Sequence, residues 1–361
     1  MQFTVNRAEM LSALQSASGV SPTKTTKDIL RSAKVVVGPE SLSVIATDCE
    51  IGLVVSVPCL SSESGECLLP IDKTVQILGA SKDESIDFIV DSKSVVISSA
   101  LSEFRMATAD ALEYPPLPSA GASDVVSVIS GGDLVRLLNR TAFACDDGSK
   151  NYALGGVKIE VSEHGATFVA TDTKRMPIEI ASARSSGAGG CVLPAKAVKV
   201  IQKLDPAGDV EIQLGHSSVV FKCGTAVLSS RLVEGRFPDW RKVVPTPTHN
   251  VELVCGPFLD AVRRSMIMVS METRGVLFQF SSGQLRLSSS VADLGQSRND
   301  VPIGYVGDTV SWMLDPVYIA DMLRQVDSGD QVSFGFIDED KPILLTCGDY
   351  RYVVMPMAKV A

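Results

Sequence analysis

The chain has 361 residues, 45% hydrophobic and 21% charged, with a formal net charge of −9. That length is too great for one ordinary core and suits three globular domains of roughly 120 residues each, while net acidity argues against a general nucleic-acid coat without forbidding one confined basic surface. No apolar run approaches the roughly 20 residues that span a bilayer, and the opening MQFTVNRAEM carries no export signal, so the expectation is a cytoplasmic protein without membrane contact. In chain order, an alternating strand at Phe3–Val5 leads into a helix opened by Asn6, with Glu9 placed as in a capping box. Strands rich in Val, Ile and Leu follow at Lys34–Val37 and Ser41–Ala46, then a short helix at Asp72–Leu78 and strands at Ser85–Val90 and Ser94–Ser98. The order returns from Val125–Ile129, with a helix after Ser130, a second at Ala195–Leu204, and strands at Val210–Leu214 and Ser218–Lys222. It returns once more from Val251–Val254, where Pro257 suits a first helical turn and a second helix is expected at Val317–Gln325.

The repetition is also literal. Residues 42–48 read LSVIATD and 166–172 read ATFVATD; downstream, CLLP at 67–70 is answered by CVLP at 191–194, at the same spacing. Two anchors holding one offset mark a duplicated domain, and LRLSSS at 285–290 with WMLDP at 312–316 marks a diverged third copy. The stretches Pro115–Asp124 and Val244–His249 are rich in residues that suit linkers. The expectation is three α+β domains at 1–122, 123–248 and 249–361, each an antiparallel sheet with two helices.

The eight cysteines lie without a CxxC pair in or beside apolar runs, and His164, His216 and His249 lie away from the repeat anchors. Reduced, buried cysteines are expected, with no metal, no histidine-based triad and no cofactor. Charge on the helices is more informative. At 195–204, Ala197, Val200, Ile201 and Leu204 form the apolar stripe and Lys196, Lys199 and Lys203 line another face, without an acidic neighbour one turn away. Arg136 and Arg140 stack opposite Leu134, Leu137 and Leu138, with Asp133 nearby, and Arg263 and Arg264 follow Asp260. These are either solvated faces or one segregated basic surface suited to a phosphate backbone.

ATDTKRM (170–176), GRFPDWRKVVP (235–245), YVVMPM (352–357) and MQFTVNRAEMLSALQ at the start together resemble the bacterial DNA polymerase III beta subunit, the sliding clamp family, over essentially the whole chain. The resemblance implies three clamp domains per chain and two chains closed head to tail into a ring, a homodimer whose helices line the hole. It implies a non-catalytic processivity factor that encircles double-stranded DNA independently of sequence. Its partners would be the replicative polymerase, a separate ATP-driven clamp loader and other proteins carrying a clamp-binding motif. Carried over by position, the pocket for partner peptides would comprise Leu154, Thr171, Thr173, Arg175, Met176, Pro238, Lys242, Val243, Val353, Val354, Met355, Pro356 and Met357. DNA would be faced by Lys24, Arg136, Arg140, Lys150, Lys196, Lys199, Lys203, Arg263 and Arg264, and ring closure would set Phe104 and Met106 against Ile267 and Met268 of the next chain. Thr173 and Lys174 stand where the family often has Gly-His, Lys242 where arginine is common, and Ala358 where an arginine follows VVMPM.

Two other readings compete on the residues. Asp48 and Asp172 are one per repeat, as in aspartic proteases, but neither is followed by the Asp-Thr/Ser-Gly turn, so both are expected to be turn residues. A peptide-binding scaffold that never encircles DNA would have no use for the basic helix faces.

Overall fold

The computed structural model describes the chain except residues 62, 119–122, 147, 149–151, 270–273, 292–293 and 358–361. Among the described residues six α-helices punctuate a β-rich fold: α1 (Arg7–Val20), α2 (Ile71–Ala80), α3 (Gly131–Thr141), α4 (Ala195–Leu204), α5 (Cys255–Ser265) and α6 (Pro316–Leu323). They come two to each sequence copy, as the repeat requires, and each short helix directly follows an anchor strand: Gly65–Pro70, Gly189–Pro194 and Val310–Leu314.

The helix starts follow from local chemistry. Asn6 Oδ1 accepts the N–H groups of Ala8 and Glu9, capping α1. Ser130 Oγ accepts the Asp133 N–H, capping α3, and donates to the Asp133 carboxylate. Gly131 is required there, because a β-carbon would lie 1.9 Å from the Pro206 carbonyl oxygen. Pro257 falls in the first turn of α5, and Asp315 Oδ1 caps α6 through the Val317 N–H.

Contacts group the chain into two compact units. The first holds residues 1–136, 160–166 and 182–233, and the second holds 137–159, 167–181 and 234–361. In the first unit α1 turns Met10, Ala13, Leu14, Ala17 and Val20 inward and packs on α2 and α4. Its sheet is continuous from the first sequence copy into the second, because Ala226–Arg231 pairs antiparallel with Ile51–Ser61. Its last strand, Glu103–Ala107, pairs with Ser94–Ser98 on one side and is an open edge on the other.

In the second unit Arg175–Ala181 of the second copy pairs with Tyr350–Val354 of the third, and that strand continues through Ile343–Cys347 and Gln331–Phe336 to His249–Val254. The strand Tyr350–Val354 serves two cores by alternation: Tyr350, Tyr352 and Val354 join the large cluster around Phe280, Trp312, Phe334 and Phe336, while Val353 joins Val169, Met176, Ile178 and Leu344. A separate four-stranded sheet in the same unit ends on the edge strand Gly295–Pro302.

Five of the eight cysteines are buried, and burial pushes Cys67 up to about 12 and Cys223 up to about 11.

Candidate functional site: a partner-peptide pocket

The repeat motif builds the same turn twice. Thr47 Oγ1 donates to the Ile51 carbonyl at 2.7 Å and accepts the Cys49 N–H, and Asp48 Oδ1 accepts the N–H groups of Glu50 and Ile51. Thr171 and Asp172 repeat each bond, to Arg175, Thr173, Lys174 and Arg175 in turn. The residue after each aspartate is left-handed, Cys49 at φ 77° and Thr173 at φ 72°. Both aspartates are therefore turn builders, in agreement with the sequence reading and not with a proteolytic pair.

The two turns differ in what the second carboxylate oxygen holds. Asp48 Oδ2 accepts Lys196 of α4. Asp172 Oδ2 accepts Nε of Arg175, whose Nη1 reaches Asp321 Oδ2 at 2.6 Å and whose Nη2 donates to the Phe143 carbonyl. The guanidinium also lies over the rings of Tyr318 and Phe143. Burial opposes its charge, but Tyr352 and the two carboxylates outweigh it and hold its pKa above the ordinary value.

Beside this fixed arginine opens a cavity of ≈ 200 Å³ lined by Thr171, Thr173, Lys174, Arg175, Met176, Pro238, Trp240, Val243, Val353 and Met355. A second, of ≈ 440 Å³, shares Thr173, Lys174 and Met355 with it and adds Arg274, Asp315, Tyr318, Pro356 and Met357. Met355, Met357 and Val243 are each more than a third exposed, so large apolar side chains meet solvent here. An apolar floor with adaptable methionines and a polar rim suits Leu- or Phe-sized anchors of an extended segment.

Ten of the thirteen residues expected at the pocket line these two cavities. The other three lie elsewhere. Leu154 is buried in the protein interior, Val354 points to the opposite face of its strand from Val353, and Lys242 is exposed and pairs with Asp239 at 3.0 Å. Lys174, Trp240, Arg274, Asp315 and Tyr318 also line the cavities and are not among the thirteen. Trp240 lies inside the quoted GRFPDW stretch, whereas Tyr318 reaches the site only through α6.

The basic residues divide similarly. Lys24, Lys199, Arg263 and Arg264 are exposed, with Arg264 donating to Asn299 Oδ1. Lys150 lies outside the described residues. Lys203 is exposed and donates to the Gln15 carbonyl, and Arg136 pairs with Asp133 at 2.6 Å. Lys196 and Arg140 are not free cations: Lys196 holds Asp48 and the Val20 carbonyl, while Arg140 holds the fully buried Glu179, the Gln325 carbonyl and the face of Tyr350. Their partners come from other elements, which a survey within each helix could not see. Phe104 is 42% exposed on the open edge strand Glu103–Ala107, with Met106 half-buried; Ile267 is 75% exposed on the turn Met266–Met268, with Met268 half-buried.

Three family models match the chain in succession: the DNA polymerase III beta subunit N-terminal domain at residues 1–118, its central domain at 128–239 and its C-terminal domain at 241–358. The chain belongs to the DNA polymerase III beta subunit family. The beta sliding clamp of Pseudomonas putida is 29% identical over 99% of this chain and 100% of its own. The crystal structure of the DNA polymerase III subunit beta from Pseudomonas aeruginosa superposes with a TM-score of 0.93 at 28% identity, covering 99% of this chain and 100% of that one. A sliding clamp of the same organism bound to griselimycin superposes equally well, with a TM-score of 0.93 at 28% identity and 99% of each chain covered. Family membership makes the protein a sliding clamp, a processivity factor of DNA replication that is not itself catalytic, built from three clamp domains. No helix among the described residues is long and apolar enough to cross a membrane.

Proposed function

We propose that two copies of this chain close head to tail around double-stranded DNA, and that the cavity beside Arg175 receives the replicative polymerase, the clamp loader and other motif-bearing partners one at a time. The observation that carries this reading is the exposed apolar cavity floored by Met176, Val353 and Met355, in a chain matched by the clamp family from end to end. Domain limits at 1–122, 123–248 and 249–361 are part of the proposal, as is a cytoplasmic location, where bacterial DNA is replicated.

Two open strand edges support closure. Glu103–Ala107 and Gly295–Pro302 each have one unpaired side, and exposed Phe104 and Ile267 supply apolar anchors for a heterologous contact that closes after two subunits. Lys24, Lys199, Arg263 and Arg264 are the exposed cations proposed to face phosphate. Contacts of that kind weaken with salt and carry no sequence information, which suits a sliding ring.

Topology supplies the decisive test. Clamp assembled by its loader on nicked circular DNA is expected to co-elute with the circle through gel filtration in high salt, and to be released when the circle is cut once. Release at the same rate from intact circles would reject encirclement and leave the peptide-binding scaffold.

A further inference from the structure

Trp240 stands in the wall of the first cavity, on the turn Trp240–Lys242, and its indole N–H is buried without a hydrogen-bond partner. Buried donors are almost always paired, so an orphan in a pocket wall calls for an account. The ring is held in other ways: it packs against the cluster of Val169, Met176, Ile178, Leu344 and Val353, and the Arg241 guanidinium lies over it at 4.2 Å.

Several backbone N–H groups around the cavity are already committed. The Thr173 N–H goes to Thr171 Oγ1, those of Lys174 and Arg175 to Asp172, that of Val243 to the Trp240 carbonyl and that of Met355 to the Lys174 carbonyl. An extended segment entering an apolar cavity brings backbone carbonyls that lose their water and need a donor. Trp240 offers a donor, and it is unpaired.

We propose that Trp240 Nε1–H donates to a backbone carbonyl of the bound partner segment, making Trp240 a specificity-determining residue of the pocket. The proposal rests on the reading of this cavity as the partner-peptide site. The N–H is shielded in the free protein, so donation to the segment requires the ring to turn as the peptide enters. The free protein carries an unsatisfied donor and the complex does not, so the whole gain of that hydrogen bond favours the bound state. A ligand that presents only carbon at that point forfeits the gain.

The test uses the full-length protein and a fluorescein-labelled hexapeptide ending in Leu-Phe, with affinity read by anisotropy. Trp240→Phe removes the five-membered ring together with the N–H, so the isostere 3-benzothienylalanine, incorporated at position 240, is used to keep the bicycle and put sulfur in place of the N–H. The isostere is expected to weaken binding roughly 5- to 20-fold while leaving the thermal midpoint of the free protein unchanged or higher. The opposite signs separate a hydrogen-bonding role from a packing role, which would lower both. Intrinsic fluorescence is the second readout. The other tryptophan, Trp312, is buried and already donates to the Asp338 carbonyl at 3.3 Å, so an emission change with unlabelled hexapeptide is expected in the wild type and lost in Trp240→Phe. Equal affinity of the two proteins, a lowered midpoint in the variant, or no emission change on binding would each overturn the proposal. A wild type that does not bind the hexapeptide at all would overturn the pocket reading itself, and this proposal with it.

Discussion

Arg175 and Asp321 meet at 2.6 Å across 146 residues of sequence, with the arginine side chain only 11% exposed. The pair ties the repeat turn at the pocket to α6, and α6 carries Tyr318 and follows Asp315, both of which line the second cavity. Removing one partner of a shielded pair leaves the other charge uncompensated, but Asp172 still holds the guanidinium, so Asp321→Ala is expected to cost about 1–3 kcal/mol. Urea unfolding of the variant checks the loss. Peptide affinity should also fall, since the Tyr318 rim loses its anchor.

Thr173 is a β-branched residue in the left-handed region, where L side chains meet a penalty of about 1–2 kcal/mol. Thr173→Gly relieves that penalty and gives back part of it as unfolded-chain entropy, so a net gain of about 0.5–1 kcal/mol is expected. Cys49→Gly, at the matching position of the first copy, should behave alike. Thermal unfolding of both variants is the measurement; destabilisation of either would mean that the native side chain contributes more than its strain costs.

Lys196 and Lys199 are neighbours on α4 with different expected roles. Lys199→Ala should leave stability unchanged and lower the salt dependence of DNA binding by about one phosphate contact, a change of roughly 0.9 in slope. Lys196→Ala should destabilise by roughly 1 kcal/mol, because the Asp48 carboxylate, 11% exposed, loses its partner while the lysine itself is partly solvated. Titrations on a duplex oligonucleotide at several salt concentrations, with melting curves alongside, distinguish the two.

Asp315 gives a pH signature. Burial pushes its carboxyl up, against the Val317 N–H and the charges of Arg274 and Arg175. Below the unfolded value of about 3.9 the group is protonated in both states, and as pH rises the unfolded chain loses its proton first. Its contribution is thus full in acid and drains away as pH climbs through the folded value. Asp315→Asn keeps the α6 cap and is expected to raise the melting temperature at pH 7, by a margin that shrinks as pH falls towards 4. A margin independent of pH would rule out this origin.

Closure of the ring can be tested at its two anchors. Phe104→Arg or Ile267→Arg should leave the fold intact, since both side chains are exposed in the single chain, and shift the mass in solution from dimer towards monomer. Sedimentation at micromolar concentration reads the change directly.

What the sequence determined by itself was everything local or periodic. The three copies, the helix starts at Asn6 and Ser130, and the turns at Asp48 and Asp172 all rest on neighbours a few residues apart, so spacing and capping chemistry suffice to find them. The apolar pocket residues were reached only through the family resemblance of their motifs. Tertiary structure alone decided which face of the last strand looks into the pocket, since Val353 and Val354 are equally apolar and differ only in pleat. It also decided which cations are free. Lys196 and Arg140 look unpaired on their helices, and their carboxylates, Asp48 and Glu179, arrive from strands and turns far away in sequence. Charge pairing across such separations is set by packing, and a one-dimensional pattern carries no record of it.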